Sequence, residues 1–222
     1  MSPEEAKWWG ERIAALSNEE LSPSLNIGSS TEDYRKVVCP QIDSEVFRPL
    51  RERGLQIFHI DMKHATGVDM VGDVTDPAFR SDIKAVRPRA IFCNNLLEHV
   101  VVRDGIVSAI DDMLEPGAYA LMSVPQDYPY HPDPIDTGYR VSPEELASIF
   151  PGFDIVESAS VPFGNYLRSL LRNPKLLVRD AYLVPAGLFN RQKWKVLFGN
   201  YRYLIKNYRV ACVVLQKKSA DG

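Results

Sequence analysis

Ser24-Leu25-Asn26-Ile27-Gly28-Ser29-Ser30 is a short apolar run that halts at a glycine and passes directly into hydroxyl-bearing residues, continued by Thr31. A run of this length bounded by turn residues reads as a buried strand. Gly28 lets the backbone turn tightly and come close to a ligand. Working outward, the same grammar recurs. LQIFHI at 55–60 is closed by Asp61, and the run at 68–71 by Gly72 and Asp73. AIFC at 90–93 is closed by Asn94 and Asn95, and YALMSV at 119–124 by Pro125. Two further apolar runs, at 153–161 and 208–215, complete the set.

Helix signals fall between these runs. Ser2-Pro3-Glu4-Glu5 and Ser142-Pro143-Glu144-Glu145 each combine a serine cap, a proline at the first helical position and a glutamate at the third. Asp76-Pro77 repeats the start signal, and further helices are expected over 43–53, with a kink at Pro49, from Asn95, and over 104–114. Apolar strands alternating with helices predict an α/β fold. Its mostly parallel sheet has about seven strands and helices on both faces. The last strand follows a connection too long for a tight hairpin, so it is expected to return antiparallel at a sheet edge.

With 222 residues, 45% hydrophobic and 25% charged, the chain suits one globular domain over 1–222. The first residues lack the apolar core of a signal peptide, and no apolar run approaches the roughly 20 residues that span a bilayer. A cytoplasmic location is expected. Cys39, Cys93 and Cys212 are odd in number and widely separated, which argues against a disulfide framework or a structural zinc. The net charge of −3 conceals a strong asymmetry. Residues 164–209 hold ten basic side chains and one acid, Asp180, hence +9 for an insertion between the last two strands. Its aromatic and leucine content suits an anionic membrane surface, as a peripheral contact on the inner face, and less well a single-stranded nucleic acid.

In an open α/β sheet, ligands bind beyond the carboxyl ends of the strands. Those ends carry Gly28, Ser29 and Ser30, then Asp61, then Asp73 and Val74, then Asn94 and Asn95. The serines offer hydroxyls and N–H groups to a carboxylate, and Asp61 is placed to accept from a ribose diol. Asp73, or the N–H of Val74, is placed to meet an adenine edge.

From about residue 24 to 161 the chain resembles the class I S-adenosylmethionine-dependent methyltransferases. Leu25-Asn26-Ile27-Gly28-Ser29-Ser30 is similar to their first motif, Ile60-Asp61 to their ribose-binding acid, and Gly72-Asp73-Val74 to their adenine-side motif. Asn95-Leu96-Leu97-Glu98-His99-Val100 is similar to their "LEHV" stretch, and Leu114-Glu115-Pro116-Gly117 to the turn before the fifth strand. The resemblance implies a Rossmann-like methyltransferase fold, S-adenosylmethionine as cofactor and S-adenosylhomocysteine as product. It implies a cofactor site formed by Asn26, Gly28, Ser29, Ser30, Asp61, Asp73, Val74, Asn94 and Asn95. The chain departs from the family in two ways. Asn26 stands where an acid is usual, and only Gly28 remains of a G-x-G-x-G. These departures motivate a second reading, a methyltransferase-like binding or scaffold protein without catalysis. A nucleic-acid methyltransferase using the basic segment is a third.

On the acceptor side, the Asn/Asp-Pro-Pro-Tyr/Phe signature of many amino-group methyltransferases is missing after the fourth strand, which favours an oxygen acceptor. The loop from Tyr128 to Arg140 packs His131, Asp133, Asp136, three tyrosines and Arg140 between prolines. It resembles a loop of methyltransferases encoded with bacterial surface-glycan genes, which implies a saccharide or carrier-linked acceptor. His131 reads either as the general base or as part of a loop pinned by Asp136, Tyr139 and Arg140. His99 is the second candidate at the acceptor. In quinone-type O-methyltransferases a carboxylate three residues before the Glu-His pair helps bind a divalent metal. Asn95 stands there, so no metal is expected, and His99 is expected to orient the helix or the acceptor.

Overall fold

Alternation fixes the sheet. A computed structural model describes residues 1–131, 135–187 and 191–219, with the side chains of 182–187, 191–193 and 195–197 also outside the description. Seven strands form one sheet: β1 (Ser24–Ile27), β2 (Ile57–Asp61), β3 (Met70–Val71), β4 (Ala90–Asn94), β5 (Tyr119–Asp127), β6 (Phe153–Phe163) and β7 (Tyr208–Lys217). Their order is β3-β2-β1-β4-β5-β7-β6. The first five are parallel to one another, and β7 runs antiparallel to both β5 and β6.

In β4, β5 and β7, successive side chains serve two different cores, while β1 serves one of them. Leu25, Ile27, Ile91, Cys93, Ala120, Met122, Ala211 and Val213 face one core. It is closed by helices α4 (Pro77–Lys84), α5 (Arg103–Met113) and α6 (Pro143–Ser148) through Ile83, Ile110 and Leu146. Phe92, Tyr119, Leu121, Val210, Cys212 and Val214 face the other core. There α1 (Pro3–Ala15) contributes Ala6, Trp9 and Ile13, a π-helical turn (Ile42–Phe47) contributes Phe47, and α3 (Arg48–Glu52) contributes Leu50. A sheet buried on both faces explains why its strands read as nearly continuous apolar runs. A four-residue helix, α2 (Asn18–Leu21), links α1 to β1.

Three expectations need correction. β7 does not lie at an edge: it is inserted between β5 and β6, and β6 is the edge strand. Cys212 and Val214, and Ala211 and Val213 opposite them, are all buried, so β7 has the apolar character of an interior strand. The helix expected from Asn95 is only a 3₁₀ turn, Leu97–His99, because Asn95 itself takes a left-handed φ of +52°. Pro49 does not kink a helix at 43–53. It lies in the first turn of α3, where a missing N–H costs nothing, and the preceding residues form the π-helical turn. The basic segment between β6 and β7 folds as α7 (Tyr166–Arg172), α8 (Lys175–Gly187) and α9 (Arg191–Arg202). Among the described residues no helix is long and apolar enough to cross a membrane.

Candidate active site

Parallel pairing of β1, β2 and β3 puts their carboxyl ends side by side, so Gly28, Asp61 and Asp73 share one rim. The loop after β1 is tied to β2 at two points. Ser29 N donates to Ile60 O at 3.0 Å, and Ser30 N donates to Asp61 Oδ2 at 2.8 Å. Asp61 Oδ1 accepts from Lys63 N at 3.0 Å. Each carboxylate oxygen has two lone pairs, so both keep acceptor capacity for a diol. Asp73 Oδ1 accepts from Thr75 N and Thr75 Oγ1, at 2.8 and 2.7 Å, and so closes its own turn, while the Val74 side chain is buried in the core.

Two residues of the first loop are left-handed: Gly28 at φ +69° and Ser30 at φ +54°. Ser30 occupies the place where the resembled motif carries its second glycine, and it keeps the glycine-like backbone. A side chain in that conformation costs roughly 1–2 kcal/mol. Ser30→Gly is therefore expected to raise stability by about 1 kcal/mol, or roughly 2–4 °C in Tm for a chain of this size. An unchanged or lower midpoint in thermal unfolding would refute a strained Ser30. Gly28 has a second constraint: a Cβ there would lie 2.9 Å from Leu96 Cδ1.

Asn26 is turned into the sheet, where its amide donates to His59 Nδ1 at 3.0 Å across the β1–β2 pair. Burial, with Arg35 nearby, lowers the His59 pKa to about 3, which leaves a neutral ring able to accept this bond. Arg35, not singled out in the sequence, is buried and clamps the first loop. It donates to Ser29 O, Ser30 O and Gly67 O at 2.7–2.9 Å. One arginine in a polar stretch carries no sequence signal of such a role.

Beyond β4 and β5 lies a cavity of about 340 Å³ whose lining includes Glu5, Asn95, Glu98, His99, Tyr128 and His131. Glu5, from α1, was also not anticipated as a cavity residue. It is 2% exposed, and its Oε1 accepts from Asn95 Nδ2 at 2.9 Å and Ser123 Oγ at 2.7 Å. Asn94 Oδ1 and Glu98 Oε2 are buried with no hydrogen-bond partner among the described residues. Burial pushes the Glu98 pKa up to about 7. A second cavity, of about 320 Å³, opens beside the start of β2 between side chains of both charge signs, including Arg35 and Asp69.

The loop after β5 is clasped onto the Glu98-His99 turn. Thr137 N and Oγ1 both donate to Glu98 O, at 2.9 and 3.0 Å, and His99 Nδ1 bonds Ile135 O. Asp136, whose side chain is shielded from solvent, ties the loop to itself through Arg140 Nη2 at 2.7 Å and the N–H groups of His131 and Gly138. Burial would raise the Asp136 pKa, but these donors outweigh it and hold it at about 2. His131 Nδ1 is 3.1 Å from Asp136 Oδ2. Burial lowers the His131 pKa against the pull of that carboxylate. The His99 and His131 rings meet edge-on with centroids 5.4 Å apart. Thus the structure brings the two candidate histidines together, and the pinned loop and the placement of His131 are one arrangement. Pro132, Asp133 and Pro134 of this loop, and Phe189 of the basic segment, lie outside the described residues.

No protein-family model matches the sequence, and no curated protein is similar to it in sequence. Solved structures are similar in fold. A SAM-dependent methyltransferase from Archaeoglobus fulgidus aligns over 97% of this chain and 95% of its own, with TM-score 0.55 and 15% identity. Coclaurine N-methyltransferase, bound to N-methylheliamine and SAH, aligns over 96% of this chain and 70% of its own, with TM-score 0.54 and 11% identity. The cyclase SpnF aligns over 96% and 81%, with TM-score 0.53 and 14% identity. The chain therefore has the Rossmann-like fold of class I methyltransferases. That fold also carries a cyclase, so the chemistry must be argued from the site.

Proposed function

We propose that this protein transfers a methyl group from S-adenosylmethionine to an oxygen of a saccharide or carrier-linked small acceptor. The observation that carries the reading is the rim itself. Asp61 ends β2 with spare acceptor capacity and is bonded to a left-handed loop after β1, beside the turn at Asp73. The residues fit an adenosyl group. Asp61 would hold the ribose, the Gly28–Ser30 backbone would face the amino-acid tail, and the orphaned Asn94 Oδ1 offers a buried acceptor to a donor of the ligand. When bound, S-adenosylmethionine supplies an electrophilic methyl on a sulfonium. The chain's own contribution is to orient the acceptor hydroxyl and accept its proton, and His131 and His99 face the cavity where this would occur. Calorimetric titration with S-adenosylhomocysteine tests the reading. No binding would point to the scaffold alternative.

For the basic segment we propose peripheral contact with an anionic membrane on the cytoplasmic side. Leu171, Val178, Phe198 and Ile205 are all more than half exposed on or beside α7–α9, amid the cationic excess. Each cation near such a surface adds about 1 kcal/mol. Vesicles containing phosphatidylserine are expected to bind the protein at low salt and release it at high salt, with Leu171→Glu weakening binding. Equal binding to neutral vesicles, or salt-sensitive binding to RNA alone, would overturn this.

A further inference from the structure

We propose that Glu98, His99 and His131 form a binding site for one divalent transition-metal ion of the zinc and cobalt type, at the floor of the acceptor cavity. One ligand atom from each residue lies within 4.8 Å of the other two. His99 Nε2 and Glu98 Oε1 are 3.8 Å apart, against roughly 3.4 Å for two ligands about 2.1 Å from a tetrahedral ion. Small rotations of two partly exposed imidazoles close the difference.

A second observation points to a ligand. Glu98 is 1% exposed, lines the cavity, and leaves Oε2 without a partner among the described residues. Glu5, a second buried carboxylate on the same cavity, holds neutral donors: Asn95, Ser123 and the backbone N–H of Ser2. Arg140, whose Nη2 lies 3.4 Å from His131 Nδ1, is committed to Asp136 and to the carbonyls of Tyr128, Pro129 and Tyr139. A buried carboxylate with a free oxygen and no cation bonded to it is costly in its charged form, and either a proton or a bound cation removes that cost.

The surroundings orient both rings for ligation. His99 Nδ1 is held by Ile135 O and His131 Nδ1 faces Asp136, so each ring presents Nε2 to the cavity. A carbonyl or carboxylate behind a histidine is the usual outer support of a metal ligand. Two imidazoles and one carboxylate suit zinc and its neighbours and leave a coordination position open. The fold thereby supplies, from the loop after β5, the ligand that Asn95 cannot. Resting on the methyl-transfer reading, we assign the open position to the acceptor hydroxyl, whose proton a bound cation would make easier to remove.

The test uses untagged, chelator-stripped full-length protein titrated with Co²⁺ by its visible absorption and with Zn²⁺ against a chromogenic chelator. One equivalent is expected to bind. Glu98→Gln and His131→Ala should each weaken binding more than 100-fold, and Asp136→Asn by about 10–100-fold. If Glu98→Gln does not fold, His131→Ala in the surface loop carries the same test. Absence of one-equivalent binding, or equal affinity in the folded variants, overturns the site. S-adenosylhomocysteine binding, measured in parallel, separates the two readings. Cofactor binding without metal defeats only the metal site, and metal without cofactor binding defeats only the methyltransferase.

Discussion

Asp61→Ala is expected to weaken S-adenosylhomocysteine binding at least about 100-fold while the protein stays folded. Two hydroxyl bonds to a carboxylate contribute roughly 1.5–3 kcal/mol each, and every 1.4 kcal/mol is tenfold. The same side chain accepts from Ser30 N at 2.8 Å, so the variant also loosens the first loop. That adds about 1–2 kcal/mol of lost stability, a modest fraction of what holds a domain of this size. Asp73→Ala should do less to the ligand, because the Asp73 bonds that the structure shows lie within its own turn, to Thr75. Calorimetry on both variants, with the melting temperature as the check on folding, decides the matter. Unchanged affinity in Asp61→Ala removes the ribose assignment and with it the main support for an adenosyl site.

How far the sequence could have revealed this site depends on which contacts are local. Gly28, Asp61 and Asp73 were legible because each immediately follows an apolar strand, and parallel pairing then places strand ends together without further information. Ser2 and Ser142 were legible as caps because a capping box is complete within four residues. Glu5 was legible as the glutamate of the first box but not as a cavity residue, since its other partners are Asn95 and Ser123, far away in the chain, and only the packing of α1 across β4 and β5 brings them within reach. The interior position of β7 was hidden for the same reason. Nothing in residues 208–217 shows which strands will flank them; only the three-helix connection decides it. The contact that Asn26 makes was not legible either. The residue sits at the expected strand end, but the two-residue alternation turns its amide to the face occupied by His59 and Phe47. The meeting of His131 with Glu98 was equally invisible, because it depends on Thr137 docking a loop onto a 3₁₀ turn.

His131→Ala should lower turnover by about 10²- to 10⁴-fold, the span of an acid–base contribution, and change S-adenosylhomocysteine affinity less than about threefold. The asymmetry follows from place. His131 borders the cavity beyond β4 and β5, whereas the rim proposed for the cofactor is at the ends of β1, β2 and β3. Its imidazole contacts Asp136, Tyr128 and His99, none of which belongs to that rim. The readout is S-adenosylhomocysteine released with any hydroxylated acceptor that the natural chain methylates. Asp136→Asn, which leaves the ring in place but removes the charge behind it, should fall between the variant and the natural chain. Metal content then divides the two ways a histidine can act here. If His131→Ala loses turnover and the ion together, His131 works through the cation. If turnover falls while the ion stays bound, it takes the proton directly. Natural activity in His131→Ala would exclude both and leave this residue as a clasp for the loop.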